Sequence, residues 1–237
     1  MKTSSTIKRL SLIASGWALS TCVLAVDRAN AQPTLLDFEG LGDNEQVLDF
    51  YNGGAGGNLG ISFGDGAQAF ISESAGGTGN FTNEPSPDTA ALFLSTSGTS
   101  FVMNVPAGFD TGFSFFYSAN ATNPPTPVNV YDGLNGTGNL LATIALPNNA
   151  FDGCNPGING TFCNWDPIGV SFAGIAKSVD FSAVANEVAF DNITLGSETP
   201  CLNQAQCVQV PEPTSVIGLL AISALGAGSV LRHKLLK

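Results

Sequence analysis

Apolar side chains recur at every second position in short runs along the middle of the chain. They are Phe101, Met103 and Val105; Phe113, Phe115 and Tyr117; Val128 and Val130; Leu140, Ala142, Ile144 and Leu146; Val170 and Phe172; and Val179 and Phe181. A period of two puts alternate side chains on one side of an extended backbone, so each run predicts a β-strand with one buried face. Between the runs lie YNGGAGGN, SAGGTGN, NEPSPDT, SANATNPPTP and DGLNGTGN, connectors whose Gly, Asn and Pro supply positive φ or a fixed proline φ. No stretch of the body keeps a 3.6-residue period over helix length. About ten strands joined this way predict an all-β fold, an antiparallel β-sandwich in which two sheets bury their apolar faces against each other. Sixteen phenylalanines are available for that core. No internal repeat is present, which argues against a propeller or solenoid.

The two ends follow other patterns. Leu10 to Val26 is free of charge, sits behind Lys2, Lys8 and Arg9, and is followed by Ala29-Asn30-Ala31. This is the plan of a signal peptide over residues 1–31, cut after Ala31. A retained N-terminal membrane helix is the alternative, opposed by Gln32-Pro33 just beyond. At the other end Pro211-Glu212-Pro213 precedes an uncharged run over 214–231, then Arg232, His233 and Lys234. At 1.5 Å per residue that run makes a single transmembrane helix of about 27 Å, just enough for a bilayer core. Basic residues behind it stay on the cytoplasmic side, so both ends place the body outside. The chain thus divides into a signal peptide (1–31), a sandwich domain (32–197), a linker (198–210) and a C-terminal segment (211–237).

Charge sharpens this division. Of 19 acids all but Asp27 and Glu212 lie between Gln32 and Val210, and the only base in that interval is Lys177. The body therefore carries a net charge of 1 − 17 = −16, which excludes nucleic acid and anionic lipid headgroups as electrostatic partners. Cations are the natural partners of such a surface, although acidity also serves solubility alone.

Cys22 leaves with the signal, and Cys154, Cys163, Cys201 and Cys207 remain. An even number in an exported chain favours disulfides. Three connectivities are open; local pairing of Cys154 with Cys163 and Cys201 with Cys207 is preferred, because CNPGINGTFC reads as a Pro/Gly-rich loop and both rings are short. The only histidine is His233, so the body cannot build Ser-His-Asp or Cys-His nucleophiles or histidine-ligated metal sites. Carboxylate pairs suited to glycoside hydrolysis remain open, since 17 acids offer many pairs and spacing selects none. The glycines of GGAGGNLG lack the lysine and following helix of a phosphate loop.

The PEP tripeptide, the apolar run and the basic RHKLLK, taken together, resemble the PEP-CTERM sorting signal of exported bacterial proteins. The resemblance implies processing by an exosortase, a membrane transpeptidase-like cysteine protease, with Pro211, Glu212 and Pro213 as the motif it reads. It also implies that the helix is inserted only transiently; a permanent tail anchor is the alternative. The body, opening on LLDFEGL and closing on VAFDNITLG with VNVYDGLNGTGNLLATIAL between, is similar to exported proteins of this kind and to the jelly rolls of carbohydrate-binding modules.

Read from the residues, Gly/Asn/Asp-rich connectors offer the carboxylate and carbonyl oxygens that calcium prefers. In LLDFEGL, Leu36 and Phe38 point one way and Asp37 and Glu39 the other. In VAFDNITL, Val188 and Phe190 share one parity and Ile193 and Leu195 the opposite one. A β-bulge at Asp191-Asn192 would absorb that change and re-aim Asp191. The jelly-roll resemblance implies a structural calcium between first and last strands, with Glu39 and Asp191 as its side-chain ligands and Asp37 a lesser candidate. The plainer reading is a turn at Asp191-Asn192 and a solvated Glu39.

Sugar-binding modules of this type stack pyranose rings on exposed Trp or Tyr. Trp165, between Cys163 and Asp166-Pro167, is the candidate glycan contact, the alternative being that it packs over its neighbouring disulfide; Tyr117 shares the parity of Phe113 and Phe115 and belongs to the core. The function expected is that of a non-catalytic cell-surface or extracellular-matrix protein associated with extracellular polysaccharide. A carbohydrate-binding module of defined specificity is the alternative, and a carboxylate-pair glycoside hydrolase the third reading.

Overall fold

The computed structural model describes residues 32–119, 127–150 and 162–207. The chain divides after Asn30 into two compact units, and every described residue belongs to the second. The signal peptide, Cys154, Pro211, Glu212, Pro213 and the run over 214–231 lie outside the described residues. Among the described residues no helix is long and apolar enough to cross a membrane.

The fold is an antiparallel β-sandwich. The strands are β1 (Thr34–Leu36), β2 (Asn52–Gly54), β3 (Gly57–Asn58), β4 (Ser62–Phe63), β5 (Ala67–Ile71), β6 (Thr89–Phe93), β7 (Val102–Phe109), β8 (Gly112–Ala119), β9 (Val128–Tyr131), β10 (Leu140–Ile144), β11 (Asp166–Ser171), β12 (Ala176–Asp180) and β13 (Val188–Leu195). The first sheet runs β11-β8-β13-β6-β5, with β1 also paired to β13; the second runs β10-β9-β12-β7-β4. Strands β2 and β3 form a separate hairpin.

Phenylalanines fill the space between the sheets. Phe93 and Phe181 stack with ring centroids 4.2 Å apart and planes at 12°, and Phe190 meets Phe93, Phe115 and Phe181 edge-on. Alternation holds where one face of a strand is buried: Met103 and Val105 of β7 and Val128 and Val130 of β9 point inward. In the first sheet it fails, because loops cover the outer face as well. Every residue of β6 and β13 is buried, and Phe81 and Phe162 pack with Ala90, Leu92 and Ala189 on the side away from the main core. Burial on both faces replaces alternation by a continuous apolar run.

The segment predicted as a linker is packed onto the domain over residues 198–207. A disulfide joins Cys201 to Cys207, with Cα atoms 5.5 Å apart, and both cysteines are buried against Leu35 of β1. The Ser114 hydroxyl donates to the Ser197 carbonyl, Cys201 N–H donates to Thr194 Oγ1 at 3.1 Å, and Asn192 Nδ2 donates to the Leu202 carbonyl. A side chain at Gly112 would come within 2.6 Å of Glu198 N, and one at Gly169 would overlap the Glu198 carbonyl oxygen. The lack of a periodic pattern suggested a linker closed by a small disulfide; glycines on β8 and β11 let this strap lie flat on the sheet. Cys163 is also disulfide-bonded, its partner lying outside the described residues.

Candidate functional site

The first and last strands meet at the acids singled out above. Strand β1 pairs antiparallel with the end of β13, Leu36 opposite Ile193. Directly after β1, Phe38 is buried with φ of +62°, a conformation that bulky residues seldom adopt. The turned backbone takes Phe38 N–H out of the ladder, and it donates instead to the Tyr51 hydroxyl oxygen at 2.7 Å. In β13 the register shifts between Asp191 and Thr194, and Asn192 has φ of +50°. This is the bulge that the parity change predicted: Val188, Phe190, Ile193 and Leu195 all reach the same core, while Asp191 is completely buried.

Residues 86–89, leading into β6, link the two acids. Ser86 N–H donates to Asp191 Oδ2 at 2.8 Å and the Ser86 hydroxyl to Asp191 Oδ1 at 2.7 Å. Asn192 N–H donates to the same Oδ1 at 2.7 Å. Glu39 is held by the next turn, its Oε1 accepting from Thr89 N–H at 3.0 Å and its Oε2 from the Thr89 hydroxyl at 3.4 Å. The Ser86 hydroxyl also lies 3.2 Å from the Asp37 carbonyl. Spacing in the sequence could not reveal Ser86, Thr89 and Tyr51 as members of this cluster, since NEPSPDT reads only as a turn.

Burial dominates the electrostatics. Desolvation pushes the Asp191 carboxyl up to about 8, against its hydrogen-bond donors and with help from the charge of Glu39. Glu39 is pushed up to about 7 by partial burial, opposed by Thr89 N–H and aided by the charges of Asp37 and Asp88. Burial also raises the Tyr51 hydroxyl. The Ser86 hydroxyl has one proton for two acceptors, Asp191 Oδ1 at 2.7 Å and the Asp37 carbonyl at 3.2 Å, and the shorter contact is the one to Asp191.

The donor set suits calcium in kind. Each carboxylate oxygen has two acceptor directions. The hydrogen bonds above leave one on Asp191 Oδ2 and one on each oxygen of Glu39. Calcium takes six to eight oxygens, and no group of three acidic, histidine or cysteine side chains converges among the described residues. Glu39 and Asp191 therefore supply at most the charged part of a shell that carbonyls and water must complete. Asp37 Oδ1 accepts from Glu39 N–H.

Trp165 does not stand free on a loop. Its ring is half-buried and edge-on to Phe81, centroids 6.1 Å apart, and its Nε1–H donates to the Thr82 carbonyl at 3.0 Å. It packs with Phe81 on the covered face of the first sheet. Tyr117 lies in the core, as its parity implied.

Fold and site together define an antiparallel β-sandwich in which a buried acid, Asp191, and a half-buried one, Glu39, lie where the first strand meets β13, each hydrogen-bonded to residues 86–89. No protein-family model matches the chain, and no curated protein matches it. Among solved structures it is similar to the K2 cleaved adhesin domain of Lys-gingipain, at 12% identity and a TM-score of 0.43, over 69% of this chain and 98% of that one. The likeness is too distant to carry a function.

Proposed function

We propose that the protein is an exported, non-catalytic protein of the cell surface or extracellular matrix, in contact with extracellular polysaccharide. An N-terminal signal peptide delivers it, and an exosortase-type enzyme acts on its C-terminal PEP segment. One observation supports the reading: the folded body fills the interval between the two segments expected to be targeting signals, and its described ends lie side by side. Strand β1 starts at Thr34, just behind the cleavage site expected after Ala31, and Cys207, the last described residue, is buried against Leu35 of that strand. Both ends can therefore reach one membrane from one side of the domain.

The most perturbed acid, Asp191, argues against a role in hydrolysis. A catalytic carboxyl must reach the glycosidic oxygen, and Asp191 is wholly enclosed with its oxygens held by Ser86 and Asn192. Glu39 and Asp191 are better suited to a structural calcium, whose charge would compensate two carboxylates that, among the described residues, have no lysine or arginine among the causes of their shifts, and would tie β1 to β13. Mass spectrometry of the mature protein from its native source tests the main reading. An N-terminus at Gln32 and loss of the apolar tail are expected; an intact tail or a retained signal peptide would overturn it.

A further inference from the structure

Most of the aromatic surface is committed to packing. Tyr51 and Tyr117 are buried, and Trp165 is engaged with Phe81 and Thr82. Tyr131 differs. It ends β9, near the middle of the second sheet, and alternates with the fully buried Val128 and Val130. Its side chain is therefore on the outer face, where it remains partly exposed. Its cross-strand partners are Leu140 of β10, which is 54% exposed, and Ser178 of β12. One step along, Asn129 faces Thr143 and accepts its hydroxyl proton at 2.9 Å.

These groups leave bonding capacity unused. Among the described residues neither the Tyr131 hydroxyl nor the Asn129 Nδ2 has a hydrogen-bond partner. Loop 132–139 forms a wall on one side: Gly136 N–H donates to Ser178 Oγ, which donates to the Gly133 carbonyl. The wall is fixed by Asp132, which accepts from Asn139 N–H and Nδ2 at 2.7 and 2.8 Å. The charges beside the face are the carboxylates of Asp132 and Asp180 and the ammonium of Lys177. The result is a half-buried ring and an exposed leucine beside amide and hydroxyl groups, bordered by loop 132–139 and by two acids and one lysine.

We infer that this face, centred on Tyr131 with Leu140, Asn129 and Thr143, binds a neutral polysaccharide. The flat apolar face of a pyranose would lie on Tyr131 and Leu140, while its hydroxyls bond to Asn129, Thr143 and the Tyr131 oxygen. Acidic borders with a single lysine repel polyanions, which selects uncharged polymers. This rests on the polysaccharide contact proposed above and assigns its location.

The test is affinity electrophoresis of the disulfide-bonded full chain through gels containing dextran, amylose, β-glucan, galactomannan or, as the anionic comparison, alginate. Retardation by at least one neutral polymer is expected, weakened roughly tenfold or more by Tyr131→Ala, as for truncation of a central aromatic anchor, and retained by Tyr131→Phe. Leu140→Glu, at an exposed position, should also abolish retardation and decides the matter should Tyr131→Ala fail to fold. Equal retardation of the parent and both disruptive variants would overturn the assignment while leaving the wider polysaccharide contact standing. Retardation by alginate alone, or by none of the polymers, would overturn both, leaving export to be judged by the mass of the mature protein.

Discussion

In calcium-free, chelator-containing buffer, the protein should lose thermal stability as the pH rises from about 5.5 to about 8. The Asp191 carboxyl has an ordinary value of 3.8 and is pushed up to about 8 in the fold. Between those values the folded state holds a proton that the unfolded chain has released, so stability is highest below the lower value and is lost as the pH approaches the upper one. The slope is about 1.4 kcal/mol per pH unit, or about 3 kcal/mol across this window, and a domain of this size turns that into roughly 10 °C of melting temperature. Glu39 adds loss of the same sign up to about 7, reduced by solvent screening because its carboxyl is only partly buried. Asp65 is held low by Ser100 and Thr99 N–H, and Asp132 by Asn139; their contributions are lost only as the pH falls into the acid range, outside this window.

Calcium bound as proposed should reverse the outcome, because it would bind the ionised carboxylates. At about a hundredfold excess over its dissociation constant it adds about 2.7 kcal/mol at the alkaline end and flattens the slope. Differential scanning calorimetry, with calcium or with chelator at each pH, separates the cases. Asp191→Asn should remove the larger part of the slope, leaving the smaller share of Glu39, and abolish the calcium response, at a cost of about 1 to 3 kcal/mol from the amide group set against Ser86 N–H. A melting temperature that stays level or rises with pH in chelator would refute the neutral Asp191, showing that its three donors outweigh burial. Identical melts with and without calcium at the alkaline end would refute the metal.

The remaining predictions concern packing. Phe181→Ala, removing a ring stacked on Phe93, should cost about 3 to 5 kcal/mol in urea unfolding; a loss under about 1 kcal/mol would mean that the core is not built around this stack. Cys201→Ser with Cys207→Ser should cost about 2 kcal/mol, the chain-entropy value for so short a loop, and should make the strap accessible to protease. Gly169→Ala should loosen the same strap with the disulfide intact, since the new methyl would overlap the Glu198 carbonyl; unchanged protection of the strap amides from hydrogen exchange would count against this.

The second sheet was readable where a strand has one buried face: residues 102–105 of β7 and 128–131 of β9 alternate, and alternation is visible in sequence, whereas in β12 Ser178 is buried beside Val179 because Gly133 and Gly136 cover its hydroxyl. The first sheet was readable only in part. TAALF and VAFDNITL are buried throughout, and a strand enclosed on both faces shows no period that distinguishes its sides. The change of parity at Asp191 nevertheless revealed the bulge, because inward residues on both sides of it must reach one core. The partners of the acids were hidden for a different reason. Ser86 meets Asp191 from 105 residues away and Thr89 meets Glu39 from 50, and no local spacing encodes such pairings. The strap was hidden as well, since its polar composition describes its exposed side, whereas its position is set by Gly112, Gly169 and two buried cysteines.

The two sides of the sandwich are therefore unlike in a way that bears on the proposed role. Ser114, Thr194 and Leu35 alternate with core residues Phe113, Ile193 and Leu36, so the strap they hold lies on the outer face of the first sheet. The start of β1 is there as well, which puts both ends of the domain on that side. Tyr131, Asn129 and Thr143 lie on the outer face of the second sheet, across the whole phenylalanine core. A chain held at its C-terminus would present the Tyr131 face away from its attachment.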